Sequence, residues 1–265
     1  MMHPSMNDLY HWVDCRAPFD SQADFDNSGF LVGNRNETLQ NILFALDITD
    51  RVLDEAVQHG ANLIITHHPM MFSPVQRMTE DDVEGKLISR MIRNHISLIS
   101  AHTNLDSAQG GINDTLAALL GLNDVHGDGY LRIGRFSEPV HFSSLVDHIE
   151  RTLHTTVRIF GQAPGDLEIT ALAVSSGAGS DFWSEALQLG AQAFLTGEIK
   201  HHHGLAMCAN GLIGLEGGHF ATEEPGLFAL ADALQSYVNE VKWNVTIFKS
   251  AVGAYALPAV PKAGS

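Results

Sequence analysis

The sequence predicts an α/β protein built from two copies of one α/β unit around a largely parallel sheet. Short apolar runs of strand length alternate with amphipathic helical segments along the 265 residues, which is typical of βα units. Residues 55–66 also align without a gap with residues 185–196, with identical Glu, Ala, Gln, Gly, Ala and Thr residues at matching positions. Chance similarity of two helix–glycine–strand units is the alternative, and the constant offset favours duplication.

Apolar spacing predicts the elements of the first repeat, residues 1–126. A period near 3.6 indicates helices, and short apolar runs beside Gly, Pro or Asn indicate strands. Thr49 or Asp50 is expected to cap the second helix, whose buried face includes Val57. In chain order we predict a helix in 5–20, strands at 25–33 and 42–47, a helix ending at 59–60, a strand at 63–65, a loop over 72–84, a helix at 85–94, a strand at 96–100 and a helix at 113–120.

The second repeat, residues 127–265, shows the same rhythm. After a glycine-rich connection we predict a helix at 143–153, strands at 156–160 and 168–174, a helix at 181–189, strands at 193–195 and 212–215, a helix at 226–239 and a strand at 243–248. The first copy ends its strand in Thr66-His67-His68 and the second in Thr196-Gly197-Glu198. Because the carboxyl ends of strands in open α/β sheets face the functional crevice, both strand ends are expected to face one shared cleft.

The bulk composition excludes several classes of protein. A formal net charge of −16 makes nucleic acid an unlikely partner and argues against anionic lipid surfaces. No apolar run approaches the ~18 residues of a membrane span, and the N-terminus lacks the pattern of a signal peptide. The two cysteines, Cys15 and Cys208, have no ligand-like spacing, so we expect free thiols in a reducing compartment. These features predict a soluble cytoplasmic protein that does not bind membranes.

Histidines and carboxylates follow the predicted strand ends. His67 and His68 terminate a buried strand, and Pro69 excludes helix at His68, so the turn can direct both imidazoles into one cavity. A pair of surface-loop histidines is the alternative. Asp106 closes the loop after the next strand, where it could instead form an Asx turn or cap the following helix. His102 lies four residues before Asp106.

A second group of candidate ligands follows the predicted strand at 212–215. His219 and Glu223 are separated by four residues, which places them on one face of a helix, where they could hold one ion or bridge two. An exposed glutamate that favours the helix dipole is the alternative. Two weaker motifs remain. The stretch Gly177-Ala178-Gly179 suggests a phosphate-binding turn but lacks the third glycine of a dinucleotide fingerprint. The tract 201–203 of three histidines is most simply a polar loop, with contact to the cleft as the alternative.

Together these side chains form a mixed nitrogen and oxygen donor set with no thiolate. Such a set suits Zn, Fe, Mn or Co and exceeds the ligands of a closed structural zinc site. A bridging carboxylate such as Glu223 would suit two ions about 4 Å apart that activate a shared water. The candidate metal ligands are His67, His68, Asp106, His219 and Glu223. His102 and Glu198 are the candidates for proton transfer or support.

The chain resembles the NIF-three-like family, whose members are also called GTP cyclohydrolase I type 2 homologues. The motifs that carry the resemblance are Asp26-Asn27-Ser28-Gly29, Thr66-His67-His68-Pro69, His102-Thr103-Asn104-Leu105-Asp106 and Gly218-His219-Phe220-Ala221-Thr222-Glu223. The last three, in this order, are highly specific, and the similarity covers nearly the whole chain. The large domain that some relatives carry between their halves is absent, because the connection near 127–140 is too short.

The resemblance implies a specific architecture and assembly. It predicts two intertwined, duplicated α/β repeats with mixed, mainly parallel sheets, assembled as a toroidal homohexamer whose dinuclear sites face an internal cavity. Carried over by motif, the five candidate ligands would hold two divalent ions per subunit. We therefore expect a metal-dependent, GTP cyclohydrolase I type 2-like hydrolase that acts on a small nucleotide-like or phosphorylated substrate through metal-activated water. The alternative is a non-catalytic metal-binding scaffold or metallochaperone.

Overall fold

The computed structural model describes residues 3–162 and 166–253 as an α/β protein with two mixed sheets. The fold class expected from the sequence is confirmed. The first two residues of the first predicted repeat, and residues 163–165 and 254–265 of the second, lie outside the described residues. Within the described part of the chain, no helix is long and apolar enough to cross a membrane.

Strands and helices alternate along both halves of the chain. The strands are β1 (Gly29–Val32), β2 (Asn41–Ala45), β3 (Leu63–Thr66), β4 (Ser97–Ser100), β5 (Asn123–His126), β6 (Arg132–His141), β7 (Arg158–Phe160), β8 (Glu168–Ser175), β9 (Ala193–Thr196), β10 (Ile213–Glu216) and β11 (Thr246–Lys249). The helices are α1 (Met6–Asp14), α2 (Asp50–Gln58), α3 (Val83–Arg93), α4 (Thr103–Ser107), α5 (Ile112–Leu119), α6 (Phe142–Leu153), α7 (Trp183–Gln188), α8 (His201–Ala209) and α9 (His219–Val241). Short 3₁₀ turns cover Phe19–Ser21 and Gly179–Phe182.

One edge strand of the first sheet, β11, comes from the other end of the chain. Among the described residues the order of this sheet is β1-β4-β3-β2-β11, with β1 antiparallel to β4 and the other neighbours parallel. Ile247 of β11 pairs with Ile42 of β2. The chain therefore returns to the first sheet after building the second, and the two halves interlock.

The second sheet has the order β5-β6-β8-β9-β10-β7 among the described residues. Its centre, β8-β9-β10, is parallel, whereas β5, β6 and β7 are joined by antiparallel pairing. The parallel centres of the two sheets hold β3 and β9, which are the strands of the internal repeat. Thr66 ends β3 and Thr196 ends β9, so in both copies the repeat strand ends at a buried threonine within the parallel part of its sheet.

The core explains why the central strands are continuously apolar. β3 reads Leu-Ile-Ile-Thr and is buried along its whole length. Leu63 and Ile65 pack in one cluster with Leu227 and Leu234 of α9, while Ile64 faces the cluster under α2 and α3. Parallel strands covered on both faces need apolar residues at every position. Burying each such side chain contributes about 1.5–3 kcal/mol.

α9 connects the two sheets. It begins directly after β10 at the carboxyl edge of the second sheet, and its Ala221 packs against the core of that sheet. Farther along, Leu227 and Leu234 are buried in the core of the first sheet. The first turn of α9 therefore lies where the two sheets meet, and His219 and Glu223 belong to that turn or the next.

Several predicted element bounds are wrong, including that of the helix expected in 5–20, which ends at Asp14. The helix expected at 226–239 starts earlier, at His219, and continues through Pro225, so it includes the helical pair His219 and Glu223. The region of Asp106 was expected to be a loop, but it forms α4, in which the Leu105 and Asp106 N–H groups both donate to the His102 carbonyl, at 2.8 Å and 3.0 Å. The glycine-rich connection ends earlier than expected, since β6 starts at Arg132.

Two further predictions are corrected by packing. The histidine tract opens α8 instead of forming a loop, because Gly204 lets this helix approach the ring of Phe160, which a β-carbon would meet at 2.4 Å. Val57 was expected to be buried and is 47% exposed. Of the two residues expected to cap α2, Thr49 is the N-cap. Its hydroxyl accepts from the Val52 N–H at 3.2 Å.

Candidate metal centre

The structure brings the five candidate ligands into one cleft between the carboxyl ends of the two sheets. His67 and His68 follow β3, Asp106 lies in α4, and His219 and Glu223 lie at the start of α9. Potential ligand atoms lie within 4.8 Å of one another in three overlapping groups. These groups are His67, Asp106 and Glu223; His68, His219 and Glu223; and His67, His68 and His102.

The turn after β3 is fixed by its own hydroxyl group. The Thr66 hydroxyl donates to the His68 carbonyl at 2.9 Å and lies 2.7 Å from the Ser100 hydroxyl of the neighbouring strand. The His68 N–H donates to the Leu46 carbonyl at 3.1 Å. These bonds hold the chain at the point where it leaves the sheet, so the two imidazoles project into the cleft in fixed directions.

Each imidazole of this turn has one nitrogen bound away from the cleft. The His67 Nδ1–H donates to the Ala101 carbonyl at 2.8 Å, and the His68 Nδ1 lies 2.7 Å from an Asp47 carboxylate oxygen. Because a carbonyl or an ionised carboxylate can only accept, both rings carry hydrogen on Nδ1. Nε2 is then the nitrogen left for a metal. This arrangement is usual behind metal-ligating histidines.

The other two imidazoles repeat the arrangement. The His219 Nδ1 lies 2.8 Å from Glu198 Oε1, and the His102 Nδ1 lies 2.9 Å from Asp26 Oδ1. The His219 Nε2 is 3.3 Å from that of His68. Glu198 thus contacts the side of the His219 ring that faces away from the cleft, with 58% of its own side chain exposed.

Glu223 lies at the centre of the cluster. Its Oε1 is 3.2 Å from His219 Nε2 and 3.8 Å from His67 Nε2, and its Oε2 is 3.1 Å from His68 Nε2. Glu223 is 4% exposed. Despite these distances, Glu223 Oε2 and His67 Nε2 have no hydrogen-bond partner of acceptable geometry in the part of the chain that is described.

Buried polar atoms without partners test whether a metal fits this site. Leaving one such group unpaired costs about 1–3 kcal/mol, so native proteins rarely do so without a compensating ligand. Here the unpaired atoms, His67 Nε2 and Glu223 Oε2, are both potential ligand atoms of the same cluster. Nitrogen and oxygen donors that converge on one point, once their protons are displaced, are what a cation requires. The donor set therefore fits a divalent metal.

Asp106 completes the buried side of the cluster. Its Oδ1 is 3.5 Å from His67 Nε2 and 3.5 Å from the Ser176 hydroxyl, which donates to it. The Asp106 carbonyl accepts from the Asn113 side chain at 3.1 Å, and Asn113 in turn accepts from the Ser176 N–H at 2.8 Å. This chain of bonds ties α4 to the loop after β8 and sets the position of the carboxylate.

The loop after β8 approaches the site so closely that only glycine fits. A β-carbon on Gly177 would lie 2.0 Å from Glu223 Oε1 and 3.2 Å from His219 Nε2, and its φ of +58° also favours glycine. The Gly177 N–H donates to Thr222 Oγ1 at 3.1 Å, and its carbonyl accepts from the Glu198 N–H at 2.9 Å. The backbone itself therefore forms one wall of the cleft.

Comparison with known proteins identifies the family. The model of the Duf34/NIF3 (NGG1p interacting factor 3) family matches residues 4–254. The chain belongs to this family. Its relatives named GTP cyclohydrolase 1 type 2 homolog include one from Clostridium acetobutylicum, 32% identical over 260 residues with 94% of this chain and 96% of the relative covered. Another, from Clostridium perfringens, is 35% identical over 238 residues, with 87% and 91% covered.

Solved structures of other proteins share the fold. The Bacillus cereus protein related to NIF3 superposes with a TM-score of 0.90 at 22% identity, covering 98% of this chain and all, 100%, of the other, which shows the fold alone. Reduced HcgD from Methanocaldococcus jannaschii gives a TM-score of 0.81 at 27% identity, covering 94% of this chain and 98% of the other. The resemblance inferred from the sequence motifs is confirmed.

The electrostatics of this Duf34/NIF3 cleft favour protonated imidazoles. Burial alone would lower the pKa of His68, but the nearby carboxylates of Asp47 and Glu223 raise it to about 10. The hydrogen bond with Glu223 raises the pKa of His219 to about 9. Burial opposes ionisation of Glu223, yet the surrounding imidazoles, His67 first, hold the pKa of its carboxyl well below the usual range. An entering cation would have to displace these imidazole protons.

The two buried groups beside Glu223 shift in the same sense. Burial raises the pKa of the Asp106 carboxyl, although His67 opposes the shift. For His67, burial would lower the pKa, but the nearby charges of Asp106 and Glu223 raise it. The cluster therefore shares protons among carboxylates and imidazoles, which is the state that a metal ion replaces in a site of this type.

The structure also separates the remaining candidates. His102 lies beside the cluster, with ring centroids 5.1 Å from His67 and 5.5 Å from His68. The histidine tract of α8 belongs to none of the potential ligand groups found among the described residues. Its His203 instead lies 3.1 Å from the Ser180 hydroxyl and 3.6 Å from an Asp181 carboxylate oxygen.

Several functional contacts were not predicted from the sequence. Asp47 and Asp26 orient His68 and His102, and Gly177 forms the wall of the cleft. Asp47 lies two residues after the end of β2, so a carboxylate at another strand's carboxyl end was a signal that could have been used. Asp26 belongs to a recognised motif, but nothing in the sequence connects it with His102.

Proposed function

We propose that this protein is a metal-dependent hydrolase that holds two divalent ions in the cleft. Support comes from the imidazoles that surround Glu223, each with Nδ1 held by a carbonyl or carboxylate. Two of the potential ligand groups share only Glu223, so this carboxylate would bridge the ions. His67 and Asp106 would complete one ion position, and His68 and His219 the other. Zn, Fe, Mn or Co would suit these donors.

The substrate that fits the proposal is small and nucleotide-like or phosphorylated. The relatives' name, GTP cyclohydrolase 1 type 2 homolog, favours a cyclohydrolase-like or phosphoesterase-like activity. Bound divalent ions would supply Lewis acidity and a water of lowered pKa. The chain's own contribution is to orient the donors and to exclude bulk water on the buried side, where His67 has no exposed surface and Glu223 very little.

His102 is the proposed proton-transfer group. Its Nδ1 is engaged by Asp26, so Nε2 is the nitrogen available to accept or return a proton. The ring is 15% exposed and lies against Phe72, which borders the outer side of the cleft. We assign Glu198 a supporting role, because it holds the outward-facing nitrogen of His219.

Metal analysis combined with a substrate screen tests the proposal. Freshly purified protein is expected to contain up to two transition-metal ions per chain, measured by plasma mass spectrometry. Protein loaded with Zn, Fe, Mn or Co is then offered a panel of nucleotides, phosphoesters and cyclic amides. Turnover that disappears in His102→Gln, with metal content retained, supports the assignment. Absence of turnover with every metal across the panel contradicts the hydrolase proposal.

A metal-delivery role is the second candidate. The observation that favours it is the exposure of one side of the cluster, where 28% of the His219 side chain and 19% of the His68 side chain are accessible. An ion could leave by that side. Rapid transfer of metal to a chelator or an apo-protein would support delivery, whereas slow exchange together with turnover would support the hydrolase.

We also propose that the chain assembles as the toroidal homohexamer that the motif resemblance implies. An apolar surface supports a subunit contact: Val75, Met78 and Ile92 are exposed and line a cavity of about 550 Å³. Light scattering coupled to size exclusion should give six times the 28.8 kDa chain mass. A monomeric or dimeric mass over the accessible concentration range would exclude this assembly.

A further inference from the structure

Asp26 has a buried carboxylate that the metal cluster does not use. Its side chain has no exposed surface, and the candidate metal ligands are absent from the hydrogen-bond partners it makes among the described residues. It lies in the turn before β1, 76 residues before His102 in the chain. Full burial of a carboxylate is costly without matched partners, so its contacts indicate what it does.

Every contact of this carboxylate comes from a hydrogen-bond donor. Oδ1 accepts from the Asn27 N–H at 2.7 Å and lies 2.9 Å from His102 Nδ1. Oδ2 accepts from the Ser28 hydroxyl at 3.0 Å, from the Thr103 N–H at 3.0 Å and from the Thr103 hydroxyl. The four remaining donors are backbone N–H groups or hydroxyls that the local fold keeps in place. An acceptor so fully occupied is an ionised carboxylate, and it requires a proton on His102 Nδ1.

The backbone of His102 is held by the same turn. Its N–H donates to the Ser28 hydroxyl at 3.0 Å, and that hydroxyl in turn donates to Asp26. The ring is then packed between the His67 and Phe72 rings, with centroids 5.1 Å and 5.7 Å away. Side chain and backbone are both fixed, so the His102 ring has little freedom to turn over and exchange its two nitrogens.

We propose that Asp26 is a positioning residue that fixes His102 in the Nδ1–H tautomer and directs its Nε2 lone pair into the cleft. In this state Nε2 accepts a proton from an attacking water as the O–H bond breaks, forming an imidazolium whose charge the Asp26 carboxylate stabilises. The Nε2–H bond then breaks as the proton passes to the leaving group, which restores neutral His102. A carboxylate behind a histidine controls tautomer and orientation in this way in hydrolytic triads.

The fate of the proton rests on the proposed hydrolase function, but the tautomer does not. Asp26→Asn is the decisive substitution. Oδ2 accepts from three donors, whereas Oδ1 accepts from the Asn27 N–H alone besides His102. The amide oxygen is therefore expected to stay on the Thr103 side, and the NH₂ group to face His102 at the cost of the Asn27 contact. The ring would then present Nδ1 as the acceptor and carry its proton on Nε2, pointing into the cleft. Thr103→Val is the control, since it removes a donor from the same carboxylate, together with the acceptor of the Ala23 N–H, without touching the His102 contact.

Neutron diffraction from deuterated, metal-free crystals at pH about 8.5 shows directly which ring nitrogen carries deuterium. The wild type and Thr103→Val should carry deuterium on His102 Nδ1, and Asp26→Asn should carry it on Nε2. Deuterium on Nε2 in the wild type overturns the proposal, even if Asp26→Asn fails to fold. An unchanged tautomer in a folded Asp26→Asn protein also overturns it.

Kinetics separate this proposal from the hydrolase proposal. If the substrate screen yields an activity, Asp26→Asn should lower kcat about 10²–10⁴-fold with little change in KM or in bound metal. Thr103→Val should stay within a few fold of the wild type. Equal kcat in the Asp26→Asn and wild-type proteins would overturn the positioning role while leaving the hydrolase intact. Failure of the whole screen would contradict the hydrolase and leave the diffraction result standing.

Discussion

Each imidazole of the cleft has a nitrogen whose partner can only accept, and this constraint sets the direction of the other nitrogen. For His67 the partner is the Ala101 carbonyl, and for His68 it is Asp47. Neutral imidazole carries one proton, so fixing it on Nδ1 leaves a lone pair on Nε2. Protonation of Nε2 is then the one event that competes with metal binding at these rings.

Metal binding is expected to release protons at neutral pH. The pKa of His68 is raised to about 10 and that of His219 to about 9, so at neutral pH the metal-free cluster holds protons that a metal has to displace. Below pH about 9 affinity should rise with pH, because fewer protons need to be displaced as these groups deprotonate. Calorimetric titration of metal-free protein with Zn²⁺, in buffers of different ionisation enthalpy, measures the protons released. A value near zero at pH 7 would contradict these assignments.

Substitution of Gly177 by alanine tests whether a steric clash or backbone strain accounts for a loss of bound metal. A methyl group there would meet Glu223 Oε1 at 2.0 Å, so Gly177→Ala should displace the Glu223 carboxylate and lower bound metal several-fold. Positive φ alone costs a non-glycine residue about 1–2 kcal/mol. Gly129→Ala is the control, since its φ of +54° is similar and nothing lies within 4 Å of the added β-carbon. Metal content and melting temperature are measured for both. Equal metal loss in the two variants would assign the effect to backbone strain.

At the scale of elements, the strands and the ligand-bearing motifs could be predicted from local sequence, whereas the contacts that orient the ligands could not. The strand before His67 is a continuous apolar run, and the spacing of His219 and Glu223 is a helix repeat, so both signals lie within a few residues. The partner of His68 lies 21 residues away and that of His102 lies 76 residues away. Such pairs exist only after the sheets assemble, because neither sequence segment specifies the other.

The position of α9 should depend on its contact with α5. A β-carbon on Gly226 would lie 2.6 Å from the Ile112 Cα, so the two helix backbones touch at this point. Gly226→Ala must move α9 outward, and overpacking of this kind costs about 1–3 kcal/mol. Since His219 and Glu223 lie at the start of the same helix, metal affinity should fall together with stability. Chemical denaturation and Zn²⁺ titration test this; lower stability with unchanged affinity would show that the first turn of α9 is held independently.

At the scale of the whole molecule, the metal cleft lies outside the packed cores that hold the fold together. The buried apolar clusters lie between the helices and the sheets, and β11 fastens the end of the second half to the first sheet. The cleft occupies the edge where the strands end. A metal there links His67 and Asp106 with α9, but the same elements are already joined by apolar contacts. The fold is therefore expected to form without ions.

The double variant His67→Ala with Glu223→Ala tests this separation of fold and site. Each single substitution leaves buried polar partners behind, because Glu223 contacts three imidazoles and His67 faces two carboxylates. Removing both members of a buried polar pair costs less than the sum of removing each. In metal-free protein we expect the double variant to be more stable than additivity predicts, by about 0.5–3 kcal/mol. Denaturant unfolding of the wild type, the two single variants and the double variant gives this coupling. Circular dichroism of the double variant should show retained structure, and metal analysis should show an empty site. An unfolded double variant, with a folded wild type under the same metal-free conditions, would mean that these side chains support the fold itself.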